Sequence, residues 1–551
     1  MGIPSYFSYI IKNYTNIIRK LPDIDENSNT SKFQHLMMDC NSIIYDAYRI
    51  LETQHKINPI DKSSVEPILI QHVLDKIHGY IQFIEPTVSV FITFDGVAPF
   101  AKMSQQKTRR YKSEFSKITD QPISDSNLWN TTAITPGTAF MSSLSSAIYS
   151  EFKGKELKYG VQQLLVSCSD EPGEGEHKLF ERIRTHALPE EQVAVYGLDS
   201  DLIMLSIFHL QYVKNIYVFR EVPEFKSILP ADHKFEPNER LFLDISILYG
   251  GIFEEMGSSN KEQCVYDYVF MCFLLGNDFL PHFPCLNIRT NGIRNLMAAY
   301  KEIIGKYEDR GLVSITNGNI NWPNVKLFFS YLATNEHQYL LREYTLRDKM
   351  DGRIWADNTP EEKAQLLLNT PIIYRQAEKY INPKDSGWEI RYYKMLFHSD
   401  KTLSENHKRE ICINYLEGLE WVFKYYTVGC PDWRWKYHHS YPPLFKDLIK
   451  YIPTDYTTEF ILPHSNNKPF SPYLQLAYVL PESQLSLLHS NMTNYLRKYY
   501  SEYYPYQYEF IWAFCRYFWE AHPILPDFQI SILNTLDEIL IEMAESSKIK
   551  L

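Results

Sequence analysis

Short apolar runs alternate with longer stretches of helical period through roughly the first 300 residues of the chain. The runs His35–Met38, Ser89–Phe94, Gln163–Val166, Gln192–Tyr196 and Lys214–Phe219 read as strands, and the segments between them as helices. Strands alternating with helices predict an α/β fold with a doubly wound, mostly parallel sheet. Asp39, Asp95 and Asp199 each follow the end of one of these runs. Open α/β sheets bind ligands at the carboxyl edge of their strands, so the three aspartates stand where a site is expected. From Arg347 to Thr370 the pattern loosens into a polar stretch, read as a linker. Beyond it the chain is helical in period and strongly aromatic, as in Trp421-Val422-Phe423-Lys424-Tyr425-Tyr426. The expected division is an α/β domain at 1–346, a linker at 347–370 and a mainly helical region at 371–551. The tyrosine-rich run Tyr499–Tyr508 is expected to pack on the core rather than stack on bases.

Four further acids join the three aspartates. Glu174-Gly175-Glu176 and Asp199-Ser200-Asp201 are acid-x-acid pairs. In extended backbone residues i and i+2 point to the same side, so each pair can present two carboxylates to one site. Gly173 and Gly175 would let the chain turn tightly before a helix beginning near His177. Asp278 follows the apolar segment Tyr268–Leu275 and a Gly276-Asn277 break. Converging carboxylates repel one another unless divalent cations neutralise them. Oxygen ligands without a Cys/His cluster favour two ions of Mg²⁺, or Mn²⁺. One such ion can activate water while the other stabilises a departing 3′ oxygen, which is phosphodiester hydrolysis. The assignment of acids to individual ions stays open.

The segment Ala101–Lys112 holds no helix breaker. Lys102, Gln106, Arg109 and Arg110 fall at i, i+4, i+7 and i+8, one helical face. A terminal phosphate carries more charge and more free oxygens than a backbone diester, and arginine forks suit it. This face follows Asp95 closely in sequence, so a phosphate pocket beside the metals is expected. It would set the cut one nucleotide from the end.

Composition adjusts this picture little. The 551 residues are 44% hydrophobic, enough for a large core and two or more domains. No run of 18 uncharged apolar residues occurs and the start lacks a secretory pattern, so an intracellular protein without a membrane span is expected. Eight irregularly spaced cysteines with no Cys-x-x-Cys pair predict reduced thiols and no zinc site. The net charge of −11 disfavours nucleic acid in general, but metal loading would offset part of it.

The chain resembles the XRN-type 5′→3′ exoribonucleases. The resemblance is carried by Met1-Gly2-Ile3-Pro4-Ser5-Tyr6-Phe7, by Phe94-Asp95-Gly96-Val97-Ala98-Pro99 and by the pattern at 102–110. Ile134–Thr138, Glu171–Lys178, Tyr196–Met204 and Gly276–Pro281 continue it in order. Gly387–Lys394, Gly429–Trp435, Pro469–Tyr473 and Val479–Pro481 extend it beyond the linker. The resemblance implies a core shared with flap endonucleases and PIN-like nucleases, with Mg²⁺ as cofactor. The implied substrate is single-stranded RNA with a 5′ monophosphate, degraded to mononucleotides. All seven acids then belong to the metal site, and Lys102, Gln106, Arg109 and Arg110 hold the 5′ phosphate. Where the family often has a histidine that stacks on the terminal base, this sequence has Tyr45. Trp433 or Trp435 would close the other side of that base. Short composition-biased members of this kind, with 41 tyrosines here, resemble those of large DNA viruses. A cytoplasmic monomer, working beside decapping or other RNA-decay factors, is the matching expectation. A DNA flap endonuclease and a non-enzymatic 5′-end-binding protein are the rival readings. The four-residue phosphate face argues against the first and the intact set of acids against the second.

Overall fold

All five expected strands form, with ends displaced by no more than two residues. They are β2 (His35–Asp39), β3 (Ser89–Thr93), β4 (Gln163–Ser167), β5 (Gln192–Tyr196) and β6 (Asn215–Glu221). Two strands absent from the sequence reading complete the sheet, β1 (Ile18–Arg19) and β7 (Arg240–Asp244). The computed structural model describes residues 2–546 except 22–32, 59, 120–128, 187–189, 223–238, 316–317, 352, 398–402 and 461–466.

The strand order is β1-β7-β6-β5-β2-β3-β4. From β6 to β4 all neighbours are parallel, whereas β7 runs antiparallel to β6 and β1 to β7. The sheet is therefore mixed, with its parallel part holding every strand that ends near an acid. Both faces are covered. Leu36 and Met38 pack with Ile43, Val73, Ile77, Phe140 and Ile148 on one side. Met37 packs on the other with Leu179, Ile183, Leu202 and Ile207. Double coverage explains why the strands read as unbroken apolar runs. A one-residue slip would exchange the two faces, so the register, and with it the positions of the strand-end acids, is firmly set.

The second part is mainly helical, with long helices at Trp322–Asp351 and Glu405–Thr427. Its core is continuous with the sheet's, since Trp421, Val422, Phe423 and Phe445 belong to the same apolar cluster as Met37. The polar stretch 347–370 is helical at both ends, in the last residues of Trp322–Asp351 and in Pro360–Leu368. Arg347 within it is buried and donates to Glu378 Oε2 at 2.9 Å and to the Cys515 carbonyl at 3.0 Å. Of the tyrosine-rich run, Tyr504 is buried and Tyr503 stacks on Phe528, while Tyr506 is exposed. Tyr508 donates to the Tyr111 carbonyl at 2.8 Å and so seats the basic helix.

Candidate active site

Asp39 closes β2, and Cys40 N donates to the Thr93 carbonyl at 3.0 Å, bringing the next strand end alongside. The Thr93 hydroxyl lies 3.0 Å from the carbonyls of both Met38 and Gly175. Asp95 is then fixed from two sides. Gly175 N donates to its Oδ1 at 2.7 Å, and the Asn41 amide donates to Oδ2. Backbone bonds of 2.8 Å from Gly96 N to Gly173 O and from Gly173 N to Val97 O clamp the two loops together. Gly96 is required there, since a Cβ would stand 1.7 Å from the Glu171 carbonyl. Lys178 gathers the same loops, donating to the carbonyls of Phe94, Cys168 and Glu171 at 3.0, 2.9 and 2.8 Å.

The two acid-x-acid pairs are not extended. A helix spans Gly175–Thr185, with Glu174 as its N-cap and Glu176 in its first turn. Another spans Asp201–His209, with Asp199 just ahead of it. The free N–H groups of a helix start favour acidic side chains, so these sequences are better matched to helix N-termini than to strands. Gly173 makes the tight turn with φ +103°, as expected. Gly175 serves a different end from the expected turn: a Cβ would lie 2.7 Å from Asp39 Oδ1, so its absence lets the helix approach β2. Asp278 stands at an element's end as expected, after Lys261–Cys272, a short turn and Gly276 at φ +85°.

The acids feel one another. Asp39 is pushed well up, by burial first and then by the charges of Asp95 and Asp199. Glu176 is pushed up by burial and by Asp201, and Asp201 is raised to about 7 by burial and by Asp278. Glu174 is also raised by burial, with the Lys102 ammonium opposing. For Asp278 burial is outweighed by Lys102, which holds the carboxyl below its usual range. Lys102 is thus not a free phosphate ligand: its Nζ pairs with Glu174 and donates to Asp278 Oδ2 at 2.7 Å.

The rest of the basic face is divided. It lies on the helix Phe100–Thr119. Gln106 Oε1 accepts from Gln475 Nε2 at 3.1 Å, and Arg110 donates to the Thr135 hydroxyl, its Nε having no acceptor among the described residues. Arg109 is exposed, near enough to Asp278 to lower its carboxyl further. Tyr45 is 39% exposed and lies within electrostatic reach of Arg110. Trp435 is a core residue, stacked on Trp421 with ring centres 5.2 Å apart. Trp433 is half-buried, and its carbonyl accepts from Phe100 N at 3.0 Å at the start of the basic helix.

Several contributors escaped the sequence reading. Asn41 and Lys178 position the strand-end loops, and Gln105 Nε2 donates to Asp278 Oδ1 at 3.2 Å. Tyr425 donates to Glu174 Oε1 at 2.9 Å, and Tyr426 hydrogen-bonds to Asp201. Asn41 stands two residues after Asp39, which is a legible signal; the tyrosines are more than 200 residues away and gave none.

Among the described residues no three His, Cys, Asp or Glu side chains are arranged to ligate a metal. Lys102 draws Glu174 and Asp278 onto itself and supplies part of the missing positive charge. The donor set fits a hard cation all the same. Asp39 Oδ1, Glu176 Oε2 and Asp201 Oδ1 are buried carboxylate oxygens with no hydrogen-bond partner among the described residues. Such oxygens are costly unless a cation or proton meets them.

Two family models match the chain in succession, and the second begins well ahead of the expected linker at 347–370. The family model described as the XRN 5′-3′ exonuclease N-terminus matches residues 1–222. That of the Xrn1 helical domain matches 258–380 and 374–530. A 5′-3′ exoribonuclease 2 homolog of Drosophila melanogaster is 25% identical over 88% of this chain and 65% of its own length. The 5′-3′ exoribonuclease 2 of Arabidopsis thaliana is 26% identical over 96% of this chain and 66% of its own. For 5′-3′ exoribonuclease 1 of Saccharomyces cerevisiae the figures are 26%, 89% and 40%. The chain thus spans two thirds or less of these relatives. With the nuclease-like mixed sheet followed by the matching helical region, the chain belongs to the XRN family of 5′-3′ exoribonucleases.

Proposed function

We propose that this protein is a divalent-metal-dependent 5′→3′ exoribonuclease that degrades 5′-monophosphorylated RNA processively to mononucleotides. The observation that carries the reading is the set of buried, unmatched carboxylate oxygens at one sheet edge, beside the helix that bears Arg109 and Arg110. Asp39, Asp95, Glu174, Glu176, Asp199, Asp201 and Asp278 would hold two ions of Mg²⁺, or Mn²⁺. When bound, such ions supply activated water at the scissile phosphorus and charge stabilisation at the departing 3′ oxygen.

The chain's own groups do the rest. Arg109 and Arg110 grip the terminal phosphate with Gln106, and Lys102 links that grip to Glu174 and Asp278. Tyr45 and Trp433 hold the first base by stacking, and Trp435, being core, is left out of this role. Fixing the 5′ end beside the acids limits each cut to one nucleotide, which is what separates an exonuclease from a flap endonuclease. In this reading the protein acts in the cytoplasm as a monomer, next to decapping or other decay factors.

The test is one RNA sequence bearing a 5′ monophosphate, triphosphate, hydroxyl or cap, digested with and without Mg²⁺ beside a DNA flap. Mononucleotide release from the monophosphorylated RNA alone, and only with metal, supports the proposal. Preferential cleavage of the flap would replace it with the DNA reading, and tight 5′-end binding without cleavage with the non-enzymatic one.

A further inference from the structure

A cavity of about 470 Å³ lies between the basic helix and the second region, within the size range of small-molecule sites. Ala101, Ser104, Gln105, Thr108 and Lys112 line it, a helical face adjacent to the one that carries Lys102, Gln106 and Arg110. Arg109 belongs to both faces and lines the cavity too. The partition from the acids is one side chain thick: Asp278 lines the cavity and bonds to both Lys102 and Gln105. Gly2 also lines it, and a Cβ there would lie 1.8 Å from Asp201 Oδ1.

Basic side chains outnumber acidic ones along the cavity. Lys107, Arg109, Lys112, Arg289 and Lys436 outnumber the three carboxylates Asp278, Glu520 and Asp527, of which Glu520 pairs with Arg289 at 2.7 Å and Asp527 pairs with Lys436, in a chain of net charge −11. Lys112, which donates to the Trp519 carbonyl, is brought down to about 8 mainly by burial, with Arg109 adding to it and Glu520 opposing. His522 is lowered by burial and then by Lys112 and His282. Two side chains suited to a nucleotide line the cavity together. The Arg289 guanidinium, which also pairs with Glu520 at 2.7 Å, lies 5.8 Å from the Trp519 ring centre, and that ring is 40% exposed.

We infer that this cavity receives the nucleoside 5′-monophosphate released by cleavage, with its base on Trp519 and its phosphate on Arg289 and Lys112. The inference rests on the proposed exonuclease activity for the origin of its ligand. It gives the product a way out past Asp278 that leaves the base-stacking side, at Tyr45 and Trp433, to the incoming strand.

The experiment titrates AMP, adenosine or inorganic phosphate into the full chain in chelator without RNA, read by calorimetry and tryptophan emission. AMP is expected to bind at least tenfold more tightly than either fragment and to quench a component of emission missing from Trp519→Phe. Arg289→Gln and Lys112→Gln should each weaken AMP about tenfold and relieve product inhibition equally, leaving single-turnover cleavage unchanged. Equal AMP affinity in wild type, Arg289→Gln and Lys112→Gln, with no Trp519 response, would overturn the inference. So would AMP binding that only Arg110→Ala removes. Trp519→Phe keeps the ring's packing and so decides the matter even where a charge variant fails to fold. Because binding is read without cleavage, the two readings fail separately. An inactive wild type that binds AMP at Trp519 refutes the nuclease and keeps the anion site; an active one with no response does the reverse.

Discussion

The Tyr425 hydroxyl donates to Glu174 Oε1 at 2.9 Å, joining residues 251 positions apart. A helix of the second region therefore completes the surroundings of the carboxylate on the N-cap residue of a helix of the first. Tyr425→Phe leaves that buried oxygen without its donor, a loss of about 1–3 kcal/mol in stability. Cleavage should fall about tenfold as Glu174 loses its orientation. Thermal melts in chelator and initial rates in Mg²⁺ check both; unchanged values would mean that the bond is idle.

Arg109→Ala is expected to erase the preference for a 5′ monophosphate while chemistry persists. A charge-assisted contact to phosphate is worth about 1.5–3 kcal/mol, roughly ten- to a hundredfold in kcat/KM. The comparison is 5′-monophosphate against 5′-hydroxyl RNA in both proteins. An equal loss on the two substrates would assign Arg109 to general RNA binding or folding.

Tyr45→Leu should stall on a hairpin that the wild type and Tyr45→Phe pass. Stacking is worth about 1–3 kcal/mol per base and would draw each new nucleotide inward after a cut. Tyr45 is 39% exposed on the helix that follows β2, so neither substitution disturbs a packed core. Equal passage by the Leu and Phe variants would show that the ring's π face is not used.

Glu336 is buried in the second region, accepts from Phe445 N at 3.1 Å, and is raised to about 8 by burial. A carboxyl raised on folding favours the folded state fully below its unfolded pKa and loses that advantage as pH rises through the folded one. Between about pH 4.5 and 8 this group alone removes about 1.4 kcal/mol of stability per pH unit. Glu336→Gln keeps an acceptor oxygen and removes the titration. Its melting temperature relative to wild type should therefore rise from pH 5 to pH 8, and a flat difference would contradict the assignment.

Much of the site was readable before the fold because strands buried on both faces leave compact apolar runs. Asp39, Asp95 and Asp199 could be placed at the sheet edge from those runs alone. The Glu174 and Glu176 pair was misread because Gly-Glu-Gly-Glu suits a strand end or a helix start, and only the packing of Gly175 on Asp39 decides. β7, with three apolar residues in five, carries too weak a period to show its antiparallel direction. Trp433 and Trp435 are alike in sequence, and the difference comes from the long-range contact of Trp435 with Trp421. Lys102 looked like a phosphate ligand because its partner Asp278 lies 176 residues away.

The central claim, cleavage at a carboxylate-held metal site, rests on acids that can be removed one at a time. Asp201 is buried and raised to about 7 by burial and like charges, so in Asp201→Ala the relieved repulsion offsets the lost bond to Tyr426 and the variant should melt close to wild type. The decisive measurement is mononucleotide release from 5′-monophosphorylated RNA by wild type and Asp201→Ala across a Mg²⁺ titration. The account predicts metal-dependent release by the wild type and essentially none by the folded variant at any Mg²⁺ concentration. Release by Asp201→Ala at near wild-type rates, or release by the wild type in chelator, would contradict it.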